Sequence, residues 1–183
     1  TDGATIVVNV AEAATAVGTY TATDADTANT MTYSIVASGN DHADFAINSA
    51  SGVLTISAKN FEAPSCGADD DSNTCLVTLS VTDGSTADTL AVTVTITNVA
   101  VAITAGQSAS LAENTAADNG VMTVATTGDT PTSSFTITAG NADGQFAIAA
   151  ATGIISTTGT ALDYDTATSH TLTVTVTDGT TLV

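Results

Sequence analysis

The chain has almost no positive charge: Lys59 is its only basic side chain, Arg is absent, and 19 acidic residues set the formal charge at −18. That excludes nucleic acid as a partner, because binding to phosphates runs through Lys and Arg that displace counterions. Anionic membrane surfaces are disfavoured on the same ground. Trp is also absent, and Tyr33 sits in an alternating, core-like pattern, so exposed aromatic platforms for sugars are poorly supplied. No run of eighteen apolar residues occurs, and a membrane-spanning helix needs about that many. There is no Asn-x-Ser/Thr sequon to mark N-glycosylation. The sequence opens at Thr1 with no charged and apolar leader, and is read as a processed product or a piece of something longer.

Catalytic groups are scarce as well. His42 and His170 are the only imidazoles, and neither has a sequence partner suggesting a triad or a zinc site. Asp163 and Asp165 are the nearest thing to a hydrolytic carboxylate pair. Residues two apart on a strand point the same way, however, and do not face each other across a cleft. The chain is therefore expected not to be an enzyme.

What is present is strand material. Apolar residues make up 43% of the chain, and Val, Ile and Thr dominate long stretches, a composition that folds as β-structure despite the charge. Leu76-Val77-Thr78-Leu79-Ser80-Val81 and Leu172-Thr173-Val174-Thr175-Val176-Thr177 alternate with period two, as half-buried antiparallel strands do. Asp, Gly and Asn punctuate such runs about every ten residues, the rhythm of a β-sandwich. Of the acids 16 are Asp and 3 are Glu, and Asp favours turns and the ligation of hard cations. Divalent cations or a saline medium would relieve the self-repulsion. Cys66 and Cys75 bracket a polar turn whose ends can meet as a disulfide, which implies an oxidising compartment. The alternative is two free thiols in a surface loop.

The chain repeats itself. Asp44-Phe45-Ala46-Ile47 and Ser51-Gly52-Val53-Leu54 return as Gln145-Phe146-Ala147-Ile148 and Thr152-Gly153-Ile154-Ile155, shifted by 101 residues. Glu12 and Glu113 share that shift, as do Phe61-Glu62 and Leu162-Asp163. Later the offset falls to 95, where Val81-Thr82-Asp83-Gly84 answers Val176-Thr177-Asp178-Gly179. The six extra residues of the first copy lie at the cysteine loop, which reads as a decoration outside the shared core. Two domains follow, residues 1–99 and 100–183, with 98–105 as the link between them. The second stops four residues after Asp178-Gly179 and is expected to lack its last strand.

These residues resemble the cadherin repeat, including the bacterial-type repeats of large surface adhesins. Glu12, Gly18 and Ala22-Thr23-Asp24-Ala25-Asp26 look like that family's opening acidic motif and Asp-x-Asp. Tyr33-Ser34-Ile35, Phe45-Ala46-Ile47 and Gly52-Val53-Leu54 match its central signature, and Leu162-Asp163-Tyr164-Asp165 resembles its Leu-Asp-x-Glu. The resemblance implies two tandem cadherin/Ig-like Greek-key β-sandwiches of an extracellular protein. It also implies Ca2+, held in that family between successive repeats by carboxylates from both. Carried over residue by residue, Asp24, Asp26 and Asp83 form a receiving half-site of repeat 1. Glu113, Asp163 and Asp165 form a donating half-site of repeat 2. The junction departs from the pattern: Asp24 and Asp26 align with Ala125 and Thr127, and Pro64 replaces the second acid after Glu62. Glu12, Glu62, Asn98 and Asp178 remain there, with Asp129 nearby, and this internal site is expected to be weak or vacant.

The competing reading is that these are solvated turn aspartates, which are common for local hydrogen-bonding reasons. Asp69, Asp70 and Asp71 are expected to be just such a solvated run. The leading functional expectation is a calcium-stiffened adhesion or structural module, with neighbouring repeats or identical subunits as partners. One alternative is a subunit of an extracellular filament assembled by strand donation, with Ile6 to Val10 as donor. Another is a polysaccharide-binding accessory module with a cell-surface or glycan ligand.

Overall fold

The computed structural model describes residues 4–24, 30–39, 41–67, 71–129 and 134–179. The described chain is all-β apart from one short 3-10 turn, Asp41–Asp44. It divides into two compact units, Thr1–Asn98 and Val99–Val183.

The first unit is a sandwich of two sheets. One contains β1 (Thr5–Ala11), β7 (Ala87–Thr97), β6 (Thr74–Thr82) and β3 (Thr32–Ile35), in that order. The other contains β2 (Ala16–Thr19), β5 (Val53–Ile56) and β4 (Phe45–Ile47). β6 and β7 form an antiparallel hairpin, whereas β1 runs parallel to β7, from Thr5 opposite Ala91 to Ala11 opposite Thr97. The chain crosses between sheets at β1–β2, β2–β3, β3–β4 and β5–β6, the Greek-key style of connection. Period-two alternation decides what faces inward: Val92, Val94 and Ile96 of β7 are buried, and the threonines between them are not. They pack with Leu54, Ile56, Val77 and Leu79 into one core.

Leu76 takes the outward phase of β6 with Thr78 and Ser80, and is an apolar side chain left 58% exposed. The cysteine loop belongs to the first copy alone, but its two ends enter that unit's core. Cys66 and Cys75 are disulfide-bonded, and both lie in the core cluster, 1% and 0% exposed. The reason is register: β6 starts at Thr74, so Cys75 takes the same inward phase as Val77 and Leu79.

The Gly52 signature has a steric origin. Its φ is +67°, and an added Cβ would stand 2.0 Å from the carbonyl oxygen of Tyr20. Only glycine satisfies both conditions. The Gly52 amide donates to Asn48 O, and its carbonyl accepts from Tyr20 N, which locks the turn into β5. Tyr33, expected in the core, is 9% exposed, and its hydroxyl accepts from the Ala22 amide at 2.9 Å.

Among the described residues, the second unit repeats the arrangement with fewer paired strands. β9 (Gly120–Thr123), β13 (Ile154–Thr157) and β12 (Phe146–Ile148) form one sheet. β11 (Ser134–Ala139) pairs with β14 (Thr173–Thr177), and β8 (Ala102–Ile103) pairs with β10 (Thr126–Thr127). β8 lies inside the stretch expected to be linker. It is held there by the ladder to Thr126 and Thr127, which the Gln107 side chain extends by bonding the Thr104 and Ala125 carbonyls. Among the described residues the buried cluster of this unit holds Val124, Phe135 and Ile155, with Leu172, Val174 and Val176 among the half-buried residues around it, and Leu162 is buried apart from that cluster. Residues 180–183, where a truncated last strand is expected, lie outside the described residues.

Candidate metal centre

Carboxylates gather where β1 ends and the loop after β5 returns. Glu12 follows β1 directly, is 5% exposed, and its Oε2 accepts from the Phe61 amide at 3.0 Å. Glu62 is held by the same loop, since Asn60 Oδ1 accepts from the Glu62 and Ala63 amides. Glu62 Oε1 accepts from the Asn98 side-chain amide at 2.9 Å. Carboxylate oxygens of Glu12 and Glu62 lie within 4.8 Å of each other. The first unit thus brings together the three of its residues that the sequence retains at the junction.

Their donor chemistry suits a hard divalent cation, which takes oxygen ligands from carboxylates and amide carbonyls. Two carboxylates this close repel unless a cation offsets them. Lys59 is committed elsewhere: its ammonium contacts Asp44 Oδ2 at 2.8 Å and both oxygens offered by Ser65. Glu12, Glu62 and the Asn98 side chain, its amide turned so that the oxygen faces the ion, are the groups that would hold calcium here.

At the opposite end of this unit, Asp24 and Asp83 line one shallow depression, with Asp88 beside them. No sequence motif marks Asp88; its place opening the β6–β7 return, next to Asp83, is the signal that finds it. Asp26, expected in the same group, lies outside the described residues, as do Asp69 and Asp70. Asp71 is exposed, as a solvated run requires. Asp83 is tied into its own turn: Oδ1 accepts from the Thr86 and Ser85 amides at 2.9 and 2.8 Å, and the Ser85 hydroxyl donates to both oxygens. These donors, the Thr86 amide foremost, hold its carboxyl below the usual range.

In the second unit, Glu113 and Asp163 come together at the loop before β14. Glu113 Oε2 accepts from the Tyr164 amide at 3.2 Å, a bond of the same kind as that of Glu12 with Phe61 but two residues further along, since Phe61 answers Leu162. Asp163 Oδ2 accepts from the Thr166 hydroxyl at 2.8 Å and Oδ1 from the Asp165 amide at 3.0 Å. That hydroxyl, then that amide, lowers its pKa. Glu113, Asp163 and Asp165 are all exposed, whereas Asp178 is buried at 7% exposure. Asp129 belongs to this unit, and its amide donates to Val99 O.

Asp41 bonds across the fold to segments far from it in sequence, and the sequence gives no sign of it. Buried at 4% exposure, it accepts from the Gly67 amide at 2.7 Å through Oδ1 and from the Leu76 amide at 2.8 Å through Oδ2. It clamps both arms of the disulfide loop. His42 bonds Gly39 O, and His170 packs edge-on to Phe146 with centroids 5.5 Å apart. No described helix is long and apolar enough to cross a membrane.

The chain resembles solved structures of cadherin ectodomains. Protocadherin Gamma B2 extracellular cadherin domains 3-6 match at 20% identity and TM-score 0.45, covering 96% of this chain and 46% of that one. Drosophila N-cadherin EC1-3 matches at 16% identity and TM-score 0.45, over 93% of this chain and 57% of that one. Human protocadherin-24 EC1-2 matches at 19% identity and TM-score 0.43, over 92% of this chain and 88% of that one. The chain therefore spans about half the length of the first two. No curated protein matches it. Residues 107–182 match the family model of the cadherin domain, so it is the second unit, with its Glu113 and Leu162-Asp163, that is similar to that family by sequence.

Proposed function

We propose that the chain is a non-enzymatic, calcium-binding structural and adhesive module of an extracellular protein, of the kind found in bacterial surface adhesins. The observation that carries this reading is the convergence of Glu12 and Glu62, with carboxylate oxygens within 4.8 Å, beside the Asn98 amide. Calcium there would neutralise two like charges and tie the end of β1 to the loop after β5. The ends carrying Asp24 and Asp83, and Glu113 and Asp163, would be completed by carboxylates of neighbouring repeats or identical subunits. The disulfide and the cadherin-domain match support an oxidising, extracellular setting.

Calcium titration of the full chain by calorimetry, extended into the millimolar range, tests the reading. With calcium at a hundredfold its dissociation constant the folded state gains about 2.7 kcal/mol. Thermal unfolding that is identical in calcium and in chelator overturns it. Glycan capture by the isolated chain, insensitive to chelator, would point to a polysaccharide-binding module instead.

A further inference from the structure

Phe61 is bonded through both of its backbone polar groups. Its amide donates to Glu12 Oε2 at 3.0 Å, and its carbonyl accepts from Asn73 Nδ2 at 2.9 Å. That carbonyl shares one rigid peptide plane with the Glu62 amide, which donates to Asn60 Oδ1 at 2.7 Å. The plane from which Glu62 projects is therefore held at both ends, by Asn60 from within the loop and by Asn73 from outside it.

Asn73 lies in the loop that Cys66 and Cys75 close, and its own place is fixed by that loop. The two cysteines are bonded and are 1% and 0% exposed. Ser72 exchanges both backbone bonds with Cys66, at 3.0 Å each, and the Asn73 carbonyl accepts from the Ile96 amide at 2.8 Å. Asp41 holds the residue after each cysteine, Gly67 and Leu76. The second copy lacks the six extra residues, and at the offset of 95 Thr168 stands where Asn73 does. There Glu113 and Asp163 are exposed, whereas Glu12 is buried and Glu62 partly so.

We infer that Asn73 is a positioning residue for the cation site at Glu12 and Glu62, held in place by the Cys66–Cys75 crosslink, so that the redox state of the disulfide sets calcium affinity. This rests on the calcium reading and adds a control over that same site. Asn73 supplies no ligand; it acts through the peptide plane between Phe61 and Glu62, as outer partners orient the ligands of a metal. A carboxylate pair oriented before the cation arrives loses less freedom on binding, and the difference appears as affinity. Reduction by a dithiol turns the disulfide into two thiols while the dithiol becomes a disulfide, and the loop that places Asn73 is then open. The coupling is reciprocal: bound calcium must disfavour reduction by the factor by which reduction weakens calcium.

Calcium titration of the full oxidised chain by calorimetry is set against the same titration of Glu62→Gln, and the binding component that this variant lacks reports the site. Asn73→Ala should weaken that component roughly tenfold to a hundredfold. Gly52→Ala strains a turn of the same unit away from the loop and should leave it unchanged, so lost stability alone does not move the readout. Cys66→Ser combined with Cys75→Ser should weaken it in the same direction as Asn73→Ala. The unaltered chain, equilibrated with a dithiol buffer and counted by intact mass after alkylation, should hold less of its reduced form in calcium than in chelator, and Asn73→Ala should shrink that difference. If Glu62→Gln removes no component, the calcium reading fails and this inference with it. A component that Glu62→Gln removes but Asn73→Ala leaves at parental strength overturns the inference and leaves the calcium reading standing. Equal reduction in calcium and in chelator overturns the redox control.

Discussion

Glu12 and Glu62 present carboxylate oxygens within 4.8 Å of each other, each anchored by a different bond: Glu12 to the Phe61 amide, Glu62 to the Asn98 side chain. Because the loop that carries Phe61 also carries Glu62, the contact that orients one acid positions the other. Glu62→Gln keeps an acceptor for Asn98 and removes one charge. In chelator the variant should unfold within about 0.5 kcal/mol of the parent. In calcium it should lose most of the gain of about 2.7 kcal/mol expected near saturation. Parallel thermal melts of the two proteins check both halves.

The disulfide loop should respond to two separate changes. Replacing Cys66 and Cys75 by Ser opens a short loop, for which the chain-entropy model gives about 2–3 kcal/mol of lost stability. Both positions are buried, so polar hydroxyls there add to that cost. Asp41→Asn turns an amide NH2 toward the Gly67 or Leu76 amide in place of an acceptor. A loss of about 1–3 kcal/mol follows. Denaturant unfolding of the first unit's transition measures each.

Glycine at the two equivalent turns should not be equally replaceable. Gly52 and Gly153 both have φ +67°, but a Cβ at Gly52 would meet the Tyr20 backbone oxygen at 2.0 Å, whereas at Gly153 it meets the Phe135 ring at 3.0 Å. A backbone carbonyl cannot swing aside, and a ring beside a loosely filled core can. Gly52→Ala should cost roughly 2–4 kcal/mol, and Gly153→Ala roughly half of that. Separate unfolding transitions for the two units, resolved by calorimetry, would show the order.

Asp83 and Asp163 set an acid limit. Their folded pKa values are lowered, chiefly by the Thr86 amide for Asp83 and the Thr166 hydroxyl for Asp163. A depressed carboxylate contributes fully above its unfolded pKa of about 3.9 and loses that contribution as pH falls through the folded value. Stability should therefore be flat in these two groups near neutrality and decline only below about pH 4. Carboxyl resonances followed by NMR should titrate below the free-Asp value. Asp83→Asn and Asp163→Asn should each flatten the acid limb.

Much of this was legible in the alternation of apolar residues and in the repeat. Val77 and Leu79 announce an inward face, and the offset of 101 by itself pairs Glu12 with Glu113. Asp41 was not legible, because an acid that caps two amides through the fold has no local pattern to mark it. The pairing of Cys66 with Cys75 was legible in the polar turn between them, but their burial was not, since only the register of β6 turns Cys75 inward. Ala102 and Ile103 read as linker because two residues are too few to show a period, and only the partner Thr126–Thr127 makes them a strand.

Lys59, its side chain 7% exposed and engaged by Asp44 and Ser65, has a consequence for resistance to proteolysis. Proteases of tryptic specificity cleave after Lys or Arg, and this sequence offers them a single bond. The side chain that would have to enter their specificity pocket is withdrawn from solvent, so cleavage must wait for the first unit to open. Resistance to such enzymes is thereby linked to the stability of that one unit, and the second unit, with its thinner core, contains no tryptic bond at all.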